Sequence, residues 1–134
     1  MRYEYLEHTA DIKFQAFGKT MKEAFSNSAY AMMNVIFEEK VREKIIKKIK
    51  INGIDEKSLL YNFLEEILFL LNTEFFLLSR IKKIEIKSKE LTAELTGDNS
   101  KEYKLGLDIK AVTYNDMFIK KEKDKFTIQV VIDI

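Results

Sequence analysis

Alternation of apolar and polar residues in the second half of the chain is the feature that most restricts the fold. A side-chain period of two is that of a β-strand with one buried face. The cluster Gly97-Asp98-Asn99-Ser100 predicts a hairpin turn within this region, and Glu122 to Lys125 predict a polar turn before the last strand. The alternation predicts a strand meander, with strands at residues 84–86, 91–95, 103–111, 117–120 and 126–132.

The first half of the chain adds two helices to this meander. Thr20 stands three residues before Glu23, which predicts a capping box and a helix from Met21 to about Phe37. Asp55 predicts the start of a second helix with a wide apolar face. Strands are predicted at residues 3–6, 12–16 and 45–51. We therefore expect an α+β fold, with two helices packed on a mostly antiparallel mixed sheet in a single compact domain, residues 1–134.

Composition excludes several classes of function. The chain has 134 residues, and its net charge of +1 comes from 23 basic and 22 acidic residues, a balance that argues against a dedicated nucleic-acid binder. It has no cysteine, which excludes disulfides, thiolate metal sites and cysteine nucleophiles. The apolar run at residues 67–71 is too short to span a bilayer. Met1-Arg2-Tyr3-Glu4 is not typical of a signal sequence, so we expect a cytoplasmic protein without a membrane partner.

Carboxylates near both ends of the sequence are the candidate ligands for a metal ion. Asp11 lies in a segment before a predicted strand. Asp133 comes directly after the last apolar residue of the last strand, and the main-chain carboxylate of Ile134 is next to it. Alternation places Asp133 on the face opposite the core residues of its own strand. If the two ends meet, these oxygen atoms suit Ca²⁺, Mg²⁺ or Mn²⁺ better than zinc or copper.

Three motifs in order resemble the archease family. Glu7-His8-Thr9-Ala10-Asp11, followed by Phe17-Gly18-Lys19-Thr20, resembles the opening of archeases, and Lys110-Ala111-Val112-Thr113-Tyr114 and Val130 to Ile134 resemble their other two signatures. The segment Leu59 to Leu64 resembles the second helix of the family. The resemblance covers essentially the whole chain, with one departure at Asn115, where many members carry His or Ser.

The resemblance implies an accessory protein rather than an enzyme. Archeases promote guanylylation of the GTP-dependent RNA ligase of tRNA splicing and so restore its turnover. The family pattern implies a divalent cation, most often calcium, held by Asp11, Asp133 and Ile134. It also implies a part for Lys110 in activation, and His8 lies in the same signature. The ligase is then the partner, and RNA is met only through it.

Other interpretations of the same residues stay open on the sequence. Asp11 is also a common type of turn residue, Asp133 and Ile134 are also compatible with a frayed terminus, and Lys110 with a solvated lysine. A pair of aspartates also suits a metal-dependent phosphoester hydrolase. A third alternative is a chaperone or scaffold for RNA-modifying enzymes. No Gly-rich nucleotide loop is present, which favours the non-catalytic interpretation.

Overall fold

Seven strands and two helices make up the computed structural model, which describes residues 1–7 and 10–134. The helices are α1 (Met21–Ile36) and α2 (Glu56–Glu74). The strands, in chain order, are β1 (Tyr3–Leu6), β2 (Ile12–Gly18), β3 (Ile45–Asn52), β4 (Phe76–Lys87), β5 (Glu90–Asn99), β6 (Ala111–Glu122) and β7 (Lys125–Asp133). A short 3-10 turn, Ser100–Glu102, follows β5.

The strands form two antiparallel sheets. The four-stranded sheet has the order β1-β2-β7-β6, and the three-stranded sheet has the order β3-β5-β4. In the four-stranded sheet, Phe14 of β2 lies opposite Val130 of β7, and both side chains are fully buried. In the three-stranded sheet, Ile49 of β3 lies opposite Ala93 of β5. Each sheet therefore buries one face by the two-residue alternation that the sequence shows.

Both helices pack between strands of the two sheets. Helix α1 packs on β2, β7 and β4, and α2 packs on β6, β4 and β3. The Thr20 hydroxyl accepts from the Glu23 N–H at 3.2 Å at the start of α1. Asp55 and Ser58 form a complete capping box at the start of α2. Phe25 and Phe63 stack with ring centroids 6.1 Å apart, so the two helices share one core with both sheets.

The predicted fold class is confirmed, with the strands divided between two sheets instead of one. Two local predictions are wrong. Gly97 and Asp98 lie inside β5 and form no hairpin turn. A Cβ at Gly97 would stand 2.1 Å from the Leu77 carbonyl oxygen of the neighbouring strand. The glycine therefore permits close strand contact. Residues 103–110 are not a strand.

Neither helix in the described part of the chain is long and apolar enough to cross a membrane.

Candidate metal site at the end of the four-stranded sheet

Pairing of β2 with β7 brings the two candidate aspartates to the same end of the four-stranded sheet. Ile12 lies opposite Ile132. Asp11 directly precedes Ile12, and Asp133 directly follows Ile132, so each aspartate is the next residue beyond this pair on its own strand. The strand register therefore brings the segment before β2 and the end of β7 to the same place.

Strand β6 brings Lys110 to the same place. Asp133 lies opposite Ala111, and the Lys110 N–H donates to the Asp133 carbonyl oxygen at 2.8 Å. The Lys110 side chain is exposed, whereas Asp11 and Asp133 are half-buried. Ile134 retains 36% of its exposure. Asp11, Lys110 and Asp133 thus lie next to one another at the end of the ladder, and Ile134 follows Asp133 in sequence. The fifth predicted residue, His8, lies outside the described residues.

The outer face beside the site is covered by an irregular part of β6. The β6–β7 ladder is interrupted between Thr113 and Phe118, and Asp116 in this interruption has φ 54°. Asp116 reaches back across the sheet to Lys13, with 3.3 Å between its Oδ2 and the lysine Nζ. The Lys13 side chain keeps only 19% of its exposure. The bulge therefore holds a mostly buried lysine two residues from Asp11.

A chain of amide hydrogen bonds fixes the bulge over the sheet. The Gln129 side-chain nitrogen donates to the Asp116 carbonyl oxygen at 2.8 Å, and the Gln129 side-chain oxygen accepts from Gln15 at 2.9 Å. Val131, on the same outer face, is fully buried. Lys13, Gln129 and Asp116 were not predicted from the sequence as neighbours of the site. The interruption of the strand pattern at Asn115-Asp116 was the available signal.

Helix α2 satisfies the free edge of β6 next to Lys110. The Glu65 carboxylate accepts from the Val112 N–H at 2.9 Å. The rings of Tyr61 and Tyr114 stack with 4.4 Å between centroids and 9° between planes. Burial raises the pKa of the Tyr114 hydroxyl, with a smaller contribution from Tyr61. These contacts fix the position of β6, which begins directly after Lys110.

The donor atoms at this end of the sheet fit a hard divalent cation. Carboxylate oxygens are the ligands that Ca²⁺, Mg²⁺ and Mn²⁺ prefer, and the two aspartates adjoin the paired residues Ile12 and Ile132. The main-chain carboxylate of Ile134 would be a third donor of the same kind. Among the described residues, no three side chains of His, Cys, Asp or Glu form a group that could hold a metal ion. The candidate set therefore consists of two aspartates and a main-chain group.

The fold defines a small α+β protein in which Asp11 and Asp133 lie at the same end of the four-stranded sheet. The model of the Archease protein family (MTH1598/TM1083) matches residues 3–134. The protein archease of Methanosarcina barkeri is 39% identical over 140 residues, covering 99% of this chain and 96% of the relative. An archease-like protein of Dictyostelium discoideum is 36% identical over 141 residues, covering 98% of this chain and 93% of the relative. The chain belongs to the archease family.

Solved structures agree with this assignment. The solution structure of Methanobacterium thermoautotrophicum protein 1598 matches with a TM-score of 0.84 at 33% identity, covering 99% of each chain. A Thermotoga maritima crystal structure, named as an archease and possible chaperone, matches with a TM-score of 0.66 at 21% identity, covering 96% of this chain and 94% of the other. The second likeness supports the fold alone. The resemblance and the fold class expected from the sequence are confirmed.

Proposed function

We propose that this protein is a non-catalytic, divalent-metal-binding activator of the GTP-dependent RNA ligase of tRNA splicing. The observation that supports the proposal is the register of β2 and β7, in which the paired residues Ile12 and Ile132 are the sequence neighbours of Asp11 and Asp133, in a chain of the archease family. The ligase is the partner, and guanylylation of the ligase is the step that the protein promotes. We place it in the cytoplasm, where it meets RNA through the ligase.

Asp11, Asp133 and the carboxylate of Ile134 would hold the cation, most often calcium, with Mg²⁺ and Mn²⁺ as alternatives. A divalent cation at such a site orients phosphate oxygens and offsets their charge when GTP reacts. The aspartates are half-buried rather than enclosed, which leaves one side of the site open to a partner. Glu65 and the Lys13–Asp116 pair have a structural role, because they fix β6 and its bulge against α2 and β2.

Lys110 and His8 are the proposed contacts to the ligase or to a phosphate. The exposed Lys110 side chain stands next in sequence to Ala111, which is paired with Asp133. Its backbone is held by the bond to the Asp133 carbonyl oxygen, so its Cα is fixed although its side chain is free to reach a partner. A flexible, strongly hydrated cation on a fixed backbone suits contact with a phosphate as a point charge.

A chaperone or scaffold for RNA-modifying enzymes is the second candidate. The Thermotoga maritima protein that shares the fold is itself named a possible chaperone. A metal-dependent phosphoester hydrolase is the third. Assay of the purified protein alone on RNA and phosphoesters separates the hydrolase from the activator.

Formation of the ligase–GMP adduct from radiolabelled GTP tests the activator directly. Catalytic amounts of this protein should speed adduct formation and raise the number of turnovers. Asp11→Ala should abolish the stimulation, and Lys110→Ala should reduce it without changing metal affinity. Lys48→Ala is the matched control, because Lys48 is an exposed lysine on the other sheet. Adduct formation that does not respond to the wild-type protein contradicts the proposal.

Calorimetric titration with Ca²⁺ tests the ligand set separately. Asp133→Ala and a C-terminal extension should each weaken binding, since each alters one oxygen donor. Unchanged affinity in both variants would place the metal elsewhere.

A further inference from the structure

Residues 103–110 have the sequence of a strand but no strand partner in the described part of the chain. Tyr103, Leu105, Leu107 and Ile109 alternate with polar residues or glycine. In the structure this segment, which lies between the 3-10 turn and β6, forms neither a helix nor a strand. A strand-like sequence without a partner strand is a template for pairing with another chain.

The backbone of this segment is held at three points and open between them. Tyr103 N–H donates to the Ser100 carbonyl at 3.1 Å, Gly106 N–H to the Ile36 carbonyl at 2.6 Å, and Lys110 N–H to the Asp133 carbonyl at 2.8 Å. Within residues 1–7 and 10–134, no hydrogen bond is made by the N–H groups of the exposed residues Lys104, Leu105, Leu107 and Asp108. These groups remain available to an incoming chain.

The two leucines project into solvent beside an apolar cavity. Leu107 retains 50% of its exposure and Leu105 retains 37%. The cavity has a volume of about 370 Å³ and is lined by both leucines together with Leu68, Leu71 and Phe75. Phe75 is itself 45% exposed. Apolar side chains gathered in this way mark a site for a partner's apolar side chain.

We infer that residues 103–109 bind an extended segment of the ligase, which adds to them as a strand and places an apolar side chain in the cavity. The inference rests on the proposed function, and it names the docking surface of that same activity. Continuity supports the ligase as the occupant, since the segment leads without interruption into Lys110 and, through its N–H, to Asp133. Strand addition uses main-chain hydrogen bonds for affinity and side-chain pockets for specificity, and this segment offers both.

Two substitutions separate the side-chain and backbone contributions. Leu107→Asp should weaken binding of the purified ligase by about tenfold or more, as for truncation of a central apolar contact. Lys104→Pro removes one open N–H but keeps both leucines, and should weaken binding less. Ile46→Asp is the control, because Ile46 is 56% exposed on β3 in the other sheet. The melting temperature and Ca²⁺ affinity of each variant should match those of the wild type.

Amide hydrogen exchange then locates the contact. Adding the ligase should slow exchange within residues 104–109 of the wild-type protein. If the wild type stimulates guanylylation and Leu107→Asp does so equally, the docking inference fails and the proposed function stands. If the wild type neither binds nor stimulates the ligase, both fail. Sedimentation showing a dimer of this chain that Leu107→Asp dissociates would identify a second copy as the occupant and overturn the inference.

Discussion

The outer faces of the two sheets differ in how far their side chains are exposed to solvent. On the three-stranded sheet, Lys48 and Lys50 of β3 stand exposed opposite Glu94 and Thr92 of β5. On the four-stranded sheet, Val131 of β7 is fully buried on the corresponding face. The first face is solvated around these lysines, although Thr96 and Asp98 further along β5 are buried, whereas the second is covered at Val131 by the bulge in β6.

This difference shows that β6 contains irregular structure that regular strand pairing does not require. Covering the outer face requires an interrupted ladder, a residue at positive φ and a lysine kept mostly from water. Each of these features is a departure from regular pairing, and irregular pairing of this kind concentrates near functional sites. The candidate metal site lies at this same end of the four-stranded sheet.

The largest effect is expected from the core that the two sheets share. Leu64 on α2 is fully buried, so Leu64→Ala should lower the free energy of unfolding by about 2–5 kcal/mol. Because α2 packs against strands of both sheets, the two sheets should unfold in one transition. Urea unfolding followed by circular dichroism and by tyrosine fluorescence measures this. Separate midpoints for the two probes would show that the sheets unfold independently.

A matched pair of truncations tests the contrast between the two outer faces. Val131→Ala should cost about 1–3 kcal/mol of the free energy of unfolding, because it removes buried methyl groups. Ile46→Ala, on the solvated face where the side chain is 56% exposed, should change it by no more than about 0.5 kcal/mol. Equal costs in thermal melts would mean that the bulge does not seal the outer face.

A pH-dependent effect is expected at the end of the three-stranded sheet. Hydrogen bonds from Tyr103, then from the Asn99 N–H and Arg42, lower the pKa of the Asp98 carboxyl. A lowered pKa in the folded state contributes stability that is present above the unfolded pKa, about 3.9, and is lost as the pH falls through the folded value. The stability difference between wild type and Asp98→Asn should therefore be constant near neutral pH and should shrink below about pH 4.

Urea midpoints measured across this pH range check the prediction. Asp124→Asn is the control, because Asp124 is exposed in the turn between β6 and β7. A difference that persists unchanged at low pH would show that the Asp98 carboxylate does not contribute by its charge.

The smallest effect on stability is expected at the candidate metal site. In chelator, Asp11→Ala should melt close to the wild type, within about 0.5 kcal/mol, because half-buried Asp11 contributes little core area. With Ca²⁺ added, the wild type should gain stability by ligand linkage and the variant should not. An apo variant that melts as low as Leu64→Ala would make Asp11 chiefly a structural residue.

Local patterns predicted most of the elements because their causes are local. Helix starts at Thr20 and Asp55 depend on side chains within three residues, and the last strand depends on alternation. The misplaced hairpin turn had a different cause. Gly97 and Asp98 are turn-forming residue types, but here the glycine permits close contact with β4 and the aspartate is buried against Tyr103. Contacts of that kind depend on distant residues and leave no local pattern.

The candidate site divides in the same way. Asp11 and Asp133 were proposed as ligands from residue type and from family resemblance, and alternation predicted the face of Asp133. Their setting was not predictable. The pairing of Lys13 with Asp116 and of Glu65 with the Val112 N–H follows from the bulge and from the packing of α2. No residue spacing in the sequence predicts either contact.

The pairing of β2 with β7 also sets the order in which the protein can be completed during synthesis. Gln15 and Gln129, which bond across this pair, are 114 residues apart in the chain. Helices α1 and α2 and the whole three-stranded sheet lie between them and have emerged before β7 exists. Until then, β2 has its apolar face beside α1 but lacks one neighbouring strand. Closure of so long a loop is slow relative to local pairing, so on the ribosome Asp11 and Asp133 would reach the same end of the sheet last, after both helices and the three-stranded sheet have emerged.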